Sequence, residues 1–133
     1  MNADEQQLLA RFREQFDTAS NQVLTLNKPS TTVDQSKPWC RYSVSFGDRF
    51  RAELGDDPHY TQLGGVYLQV FVPKKLGISA GDALVEKFVN LFCDWRSPDG
   101  ALLIGRLTQN RSETDDYYQV TLRYSFESLR KRA

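Results

Sequence analysis

Apolar positions recur along this chain with two different periods, and each period marks its own kind of element. Across residues 4–19, Leu8, Leu9, Phe12, Phe16 and Ala19 return at spacings of three and four, with Glu, Arg and Gln filling the opposite face. That spacing draws a single stripe along a helix, and its two phenylalanines call for a flat apolar surface to dock on. From Trp39 to Phe46 the period falls to two: Cys40, Tyr42, Val44 and Phe46 alternate with Arg41, Ser43 and Ser45. A half-buried strand is predicted there. Pro38 stands at its entry, where a missing N–H does least harm.

The stretch "GVYLQVFVPKKLGISAGDALVEKFVNLF", Gly65 to Phe92, contains both periods in succession. Val66, Leu68, Val70 and Val72 share one side of a strand with Tyr67, Gln69 and Phe71 on the other, which predicts a central strand partly covered on both faces. Pro73 ends the ladder, having no hydrogen to donate, and Gly77 permits a turn. Ser79 is the expected N-cap of a following helix, with Asp82 placing an acid at its positive end. Leu84, Phe88, Leu91, Phe92 and Trp95, widened by Val85 and Val89, carry that helix to about Cys93, where "RSPDG" stops it.

Two further strands complete the pattern. Ala101–Gln109 is apolar early and polar late. Tyr117–Phe126 alternates cleanly, with Tyr118, Val120, Leu122, Tyr124 and Phe126 on one face, and the polar "NRSETDD" joins the two. Near the start, "QVLTL" reads as a short edge strand, and Asn27, Pro29 and "STTVDQSK" as a loop. The segment from Gly47 to Gly65 is polar, holds four glycines and is far longer than a hairpin turn needs. It is either a protruding arm into which the strands extend or a functional loop. Together the elements predict one domain over residues 1–133. Its class is α+β: a mostly antiparallel sheet with two helices packed on one face.

Composition narrows the function without naming it. A chain of 133 residues with 40% hydrophobic and 26% charged residues suits a globular domain with one core. Lys plus Arg equals Asp plus Glu at 17 each, so the strong positive field of a nucleic-acid binder is not expected. "MNADEQQLL" lacks the basic and apolar regions of a secretory signal, and no apolar run reaches membrane-spanning length; a soluble, cytosolic protein is expected. Cys40 and Cys93 lack metal-ligand spacing and read as reduced, mostly buried packing residues.

Catalytic patterns are equally sparse. The lone histidine, His59, sits in a polar loop with only Asp56 and Asp57 near it, and those aspartates beside Pro58 read as turn residues. Asp115 and Asp116 read as an exposed pair. No G-x-S-x-G or G-x-x-x-x-G-K-[ST] motif occurs, and "GISAG" lacks the glycine pattern of a phosphate loop. No enzyme, metal or cofactor is expected. The final "SLRKRA" is open to two readings, a solvated tail or an electrostatic contact with an acidic partner.

"LLARF", "LNKP", "PWCRYSV", "LQVFVPKKLG" and "YYQVTLRYSF" together resemble the tail terminator proteins of long-tailed bacteriophages over nearly the whole chain. The most specific part is Leu68–Gly77, a valine-rich strand followed by a proline and a glycine ahead of a helix. The resemblance implies a non-enzymatic α+β subunit, without cofactor, that assembles with itself as a ring, a hexamer in the comparable cases. Such a ring sits at the tail–head junction of the virion, stops polymerisation of the tail tube protein and meets the head–tail connector, after assembly in the host cytoplasm. No membrane and no sequence-specific nucleic acid are implied, although DNA passes through such a ring. A neck or head-completion protein and a small-ligand binding domain are the alternatives. The family transfers no catalytic residues. The interface expected from exposure and loop length comprises Arg49, Arg51, Glu53, Asp56, Asp57, His59 and Tyr60 in the arm, Arg111, Glu113 and Asp115 about the last turn, and Arg130 and Lys131 at the end.

Overall fold

The computed structural model describes residues 3–16, 23–25 and 36–131. Its elements are α1 (Ala3–Gln15), β1 (Val23–Thr25), β2 (Trp39–Arg51), β3 (Tyr60–Pro73), α2 (Asp82–Leu91), β4 (Leu102–Glu113) and β5 (Tyr117–Arg130). The strands form one sheet in the order β1-β2-β3-β5-β4. β1 runs parallel to β2, and every other neighbouring pair is antiparallel. Only one alternation of each central strand enters the core, Val66, Leu68, Val70 and Val72 of β3 and Val120, Leu122, Tyr124 and Phe126 of β5, beside apolar residues of both helices. Both helices therefore cover the same face, giving the α+β class that the two periods predict.

α1 docks through its stripe. Leu8, Leu9, Phe12 and Phe16 are buried, and the Phe12 ring lies 4.4 Å from that of Tyr42 on β2. Asp4 and Glu5 occupy its first turn and Arg13 its last, each charge suited to the helix dipole. The helix stops at Gln15, and Ala19 lies outside the described residues. Most of the loop read at Asn27, Pro29 and "STTVDQSK" also lies outside them; only Ser36 and Lys37 are described. α2 packs Phe88 and Phe92 against Tyr124, with ring centroids 5.6 and 5.8 Å away. Tyr124 Oη donates to the carbonyl of Val89. Arg11 Nε donates to the carbonyl of Leu91 at 2.8 Å, so a cation from α1 closes the negative end of α2.

The start of α2 departs from the sequence expectation. Ser79 is not its N-cap. Residues Ile78–Gly81 form a 3₁₀ turn, Gly81 holds the cap position and no side chain bonds across it. The reason is steric: Gly81 presses on β3 so closely that a Cβ there would stand 2.6 Å from Val72 Cγ2. Asp82 still brings its acid to the first turn.

β3 is the middle strand, but its second face is covered differently from the expectation. Among the described residues, no helix lies there. Tyr67, Gln69 and Phe71 are half-buried beneath neighbouring side chains: Trp39 stacks on Phe71 with centroids 4.1 Å apart, and the Arg123 guanidinium sits 5.6 Å above the Tyr67 ring.

Both outer ladders break on a single row. Phe46, Gly64, Phe126 and Ile104 face one another across four strands, and the register shifts immediately beyond, between Phe46 and Arg49 on one side and Ile104 and Leu107 on the other. Gly64 makes the row possible, because a Cβ would stand 2.5 Å from the Ser45 carbonyl oxygen and also strike the Phe126 ring. Past this crease the sheet runs on as a projecting half. β2 and β3 both continue into the 47–65 segment and leave a loop closed by Ala52 N–H donating to the His59 carbonyl at 2.9 Å. The strands thus extend into the segment, Tyr60–Leu63 pairing with Glu127–Arg130 of β5, and the loop is confined to residues 52–59.

Candidate functional site

The arm groups most of the expected interface residues and shows how each is held. Arg49 leaves β2 with its guanidinium 4.9 Å above the Tyr60 ring, a cation–π contact across the hairpin. Arg51 reaches the Gly55 carbonyl at 3.4 Å. Glu53 accepts the His59 backbone N–H at 3.1 Å, and His59 Nδ1 lies 2.5 Å from the same oxygen. These bonds from His59 hold the Glu53 carboxyl below its usual range. Asp57 pairs with Lys131 at 3.1 Å, tying the loop to the end of β5, while Asp56 is exposed. Leu54, between Glu53 and Gly55, is 93% exposed.

Arg130 is placed differently. It stands directly across from Tyr60, yet its side chain turns towards α1, where Nε donates to Asp4 at 2.8 Å, Nη2 to Gln7 at 2.8 Å and Nη1 to Asp99 at 2.8 Å. Asp4 also accepts from Ser128 at 2.6 Å, and Asp99 from Ser97 at 2.6 Å. The bonds from Ser97, Gln7 and Arg130 hold the Asp99 carboxyl well below the usual carboxylate range. A cavity of about 380 Å³ opens beside this clasp, bordered by Arg49, His59, Tyr60 and Gln62 as well as Asp4 and Arg130. The clasp residues face the cavity already bonded to one another, so their polar atoms serve the fold first.

Arg111, Glu113 and Asp115 lie at the other end of the sheet. Glu113 pairs with Lys74 at 3.6 Å, and Arg111 and Asp115 are exposed on β4 and its turn to β5. Residues 60 and 73 of β3 mark the two ends, and at the usual rise per residue they stand about 40 Å apart. The expected residues thus form two separate groups rather than one site.

The opposite face of the projecting half carries an apolar patch. Register places Phe50, Thr61 and Leu129 in one row and Leu63, Glu127 and Leu103 in the next, all on the face away from the helices. Phe50, Leu63, Leu103 and Leu129 are all exposed, Phe50 to 50%. Beside them the crease forms a groove of about 670 Å³, lined by Gly47, Gly64, Gly65 and Gly105. Arg123 lies over Gly65 there, its Nε donating to Tyr67 Oη at 3.0 Å. Among the described residues, no three or more His, Cys, Asp or Glu side chains gather in a way that could hold a metal ion, and no helix is long and apolar enough to cross a membrane.

No family model matches the chain, and no curated protein matches it. One solved structure, of a protein 15% identical to this one, superposes over 96% of each chain with a TM-score of 0.66. At that identity the likeness speaks for the fold alone, and it does so over nearly the full length.

Charge and loop length led the sequence reading to the ionic residues of the arm and away from the leucines beside them. The signal at Leu63 lay in phase, since it falls on the polar alternation of β3, and Leu54 stands alone among acids and glycine; Phe50 keeps the parity of Cys40–Phe46 and is turned outward only by the register shift between Phe46 and Arg49. For the clasp no local signal exists, because Asp4 and Arg130 meet only through the fold.

Proposed function

We propose that this chain is a structural subunit of the phage tail terminator type. It assembles with copies of itself into a ring that caps the tail tube, ends tube growth and provides the joint to the head connector. The projecting half-sheet carries this reading. A small domain that exposes Phe50, Leu54, Leu63, Leu103 and Leu129 on one extension, rimmed by paired charges, has the make-up of a protein–protein contact surface. Mixed signs on the arm, Arg49 and Arg51 against Glu53, Asp56 and Asp57, favour orientation of a docking partner over attraction to a polyanion.

The test is genetic and visual. Particles assembled without this protein should carry tails of abnormal length or tails unjoined to heads in negative-stain images. Joined tails of normal length overturn the reading. Purified protein added to separated parts should bind finished tails; binding to filled heads instead assigns it to the neck.

A further inference from the structure

β4 is the outermost strand of the sheet, and most of its outer rim is open. The bridge from Arg96 to Leu103 covers its beginning, and from Gly105 to Glu113 no described residue pairs with it on that side. The hairpin to β5 fixes which backbone groups point where. Thr114 N–H donates to the Tyr117 carbonyl at 2.8 Å, making 114 and 117 a hydrogen-bonded pair. Bonded and non-bonded pairs alternate along an antiparallel ladder. Ser112, Asn110 and Thr108 therefore bond inward to β5, while Leu107, Gln109, Arg111 and Glu113 turn their N–H and C=O groups outward.

An open row of this kind invites another strand, and monomeric proteins defend against it with charged side chains, above all lysine, or with proline, bulges or short length. Here the bulge guards only the first residues. The stretch Leu107–Glu113, "LTQNRSE", contains neither proline nor lysine, and its two charges, Arg111 and Glu113, are of opposite sign and can be matched by a partner strand.

The other rim of the sheet supplies a matching surface. Among the described residues, β1 pairs with β2 only at Cys40–Tyr42, and none of them covers β2 on that side from Ser43 to Arg51. Direction reverses from β2 to β3, from β3 to β5 and from β5 to β4, which leaves β4 antiparallel to β2. Level docking would set Gln109 and Arg111 against β1, which lies beside Tyr42 and Cys40; with the second copy displaced along the strands by about five residues, β4 of one meets the uncovered part of β2 of the next in the antiparallel sense, the better-bonded arrangement. The bulge in β2 confines a regular ladder to a few residues, so each contact is weak and closure of a ring multiplies it.

We propose that the outer rim of β4, through the backbone groups of Leu107, Gln109, Arg111 and Glu113, accepts the open rim of β2 from a second copy of this chain. The contact joins two unlike surfaces, as ring closure requires. It rests on the ring-forming reading above and names the surfaces that build the ring.

Proline is tolerated on an edge strand where its missing N–H faces outward. Gln109→Pro and Arg111→Pro therefore remove a donor from the open rim and none from the β5 ladder. Sedimentation velocity and circular-dichroism melting of the full chain decide the matter, with Gln109→Ala as a control that keeps the backbone donor. The unsubstituted protein and Gln109→Ala should form the ring equally. Both proline variants should melt as the parent does and assemble at least about tenfold more weakly. Proline variants that fold and assemble like the parent overturn the proposal while leaving the ring reading intact; a parent that forms no ring overturns both. Should either proline variant fail to fold, hydrogen exchange on the parent decides instead. The amides of Gln109, Arg111 and Glu113 should be protected in the ring and exchange freely in the dilute subunit, and free exchange in the ring overturns the proposal.

Discussion

Asp4 and Arg130 form an ion pair between the first turn of α1 and the last residue of β5, with Oδ1 and Nε 2.8 Å apart. The Asp4 side chain is only 6% exposed, and Ser128 donates to its other oxygen. Removing one partner of a buried pair leaves the other short of bonds. Asp4→Ala should lower stability in urea by about 2–3 kcal/mol, less than a full orphaning because Arg130 retains Asp99 and Gln7. Lys131→Ala, which breaks the exposed pair with Asp57, should cost about 0–1 kcal/mol. Equal losses in the two variants would contradict a structural role for the clasp.

Asp99 sets an acid-side pH dependence. Its folded-state pKa is depressed by bonds from Ser97, Gln7, Arg130 and the Ala101 N–H. The ionised carboxylate therefore contributes stability that is present above its unfolded value of about 3.9 and is lost as pH falls through the lower folded value. The carboxylate is 41% exposed, so solvent screens part of the effect. Denaturation midpoints should rise with pH across this acid window and then level off, and Asp99→Asn should flatten the slope below about pH 4. An unaltered acid limb in that variant would remove Asp99 from the account.

Gly64 and Gly65 are neighbours with opposite tolerances. A Cβ on Gly64 meets the Ser45 carbonyl and the Phe126 ring, neither of which can yield without moving the sheet. The nearest atoms to a Cβ on Gly65 belong to the Arg123 guanidinium, with Nε 2.5 Å away on a flexible side chain. Gly64→Ala should cost about 1–3 kcal/mol, in the range of core overpacking, and Gly65→Ala less than that. The two unfolding curves, measured side by side, check the order.

The two cysteines should differ sharply towards a thiol reagent. Cys93 is exposed, whereas burial pushes the Cys40 thiol up to about 12. Since the thiolate is the reacting form, native protein should titrate at Cys93 alone, with Cys40 appearing only on unfolding. Rapid modification of Cys40 in the native protein would show that β2 opens readily.

Core replacement at Phe88 should be the costliest of these changes. Its ring is fully buried against Phe92 and Tyr124, and Phe88→Ala should lose about 3–5 kcal/mol in chemical denaturation. A loss below that of Gly64→Ala would place the core elsewhere.

Much of the fold was legible because burial imposes its period on the sequence. The alternations at Cys40–Phe46, Val66–Val72 and Tyr118–Phe126 each name the core face correctly, and the stripes of α1 and α2 mark their docked sides. Boundaries were less legible. Ser79 has the chemistry of a cap, yet the squeeze of Gly81 against Val72 moves the helix start onward, a tertiary constraint that capping preference does not contain. The arm's strands ran past the expected ends of regular structure because, beyond the crease, polar residues such as Arg49 and Gln62 replace the apolar alternation. Of the expected interface residues, the arm group is gathered in space and Arg111, Glu113 and Asp115 are not, since residues close in the chain's last hairpin lie at the far end of the sheet.

The crease leaves one pair of strands untouched. β3 and β5 remain matched residue for residue from Tyr60 opposite Arg130 to Pro73 opposite Tyr117, while both outer ladders break at the Gly64 row. That central pair is a keel. Its unbroken ladder joins the hairpin end of the sheet to the floor beneath α2, whereas each outer strand is divided by its own register shift.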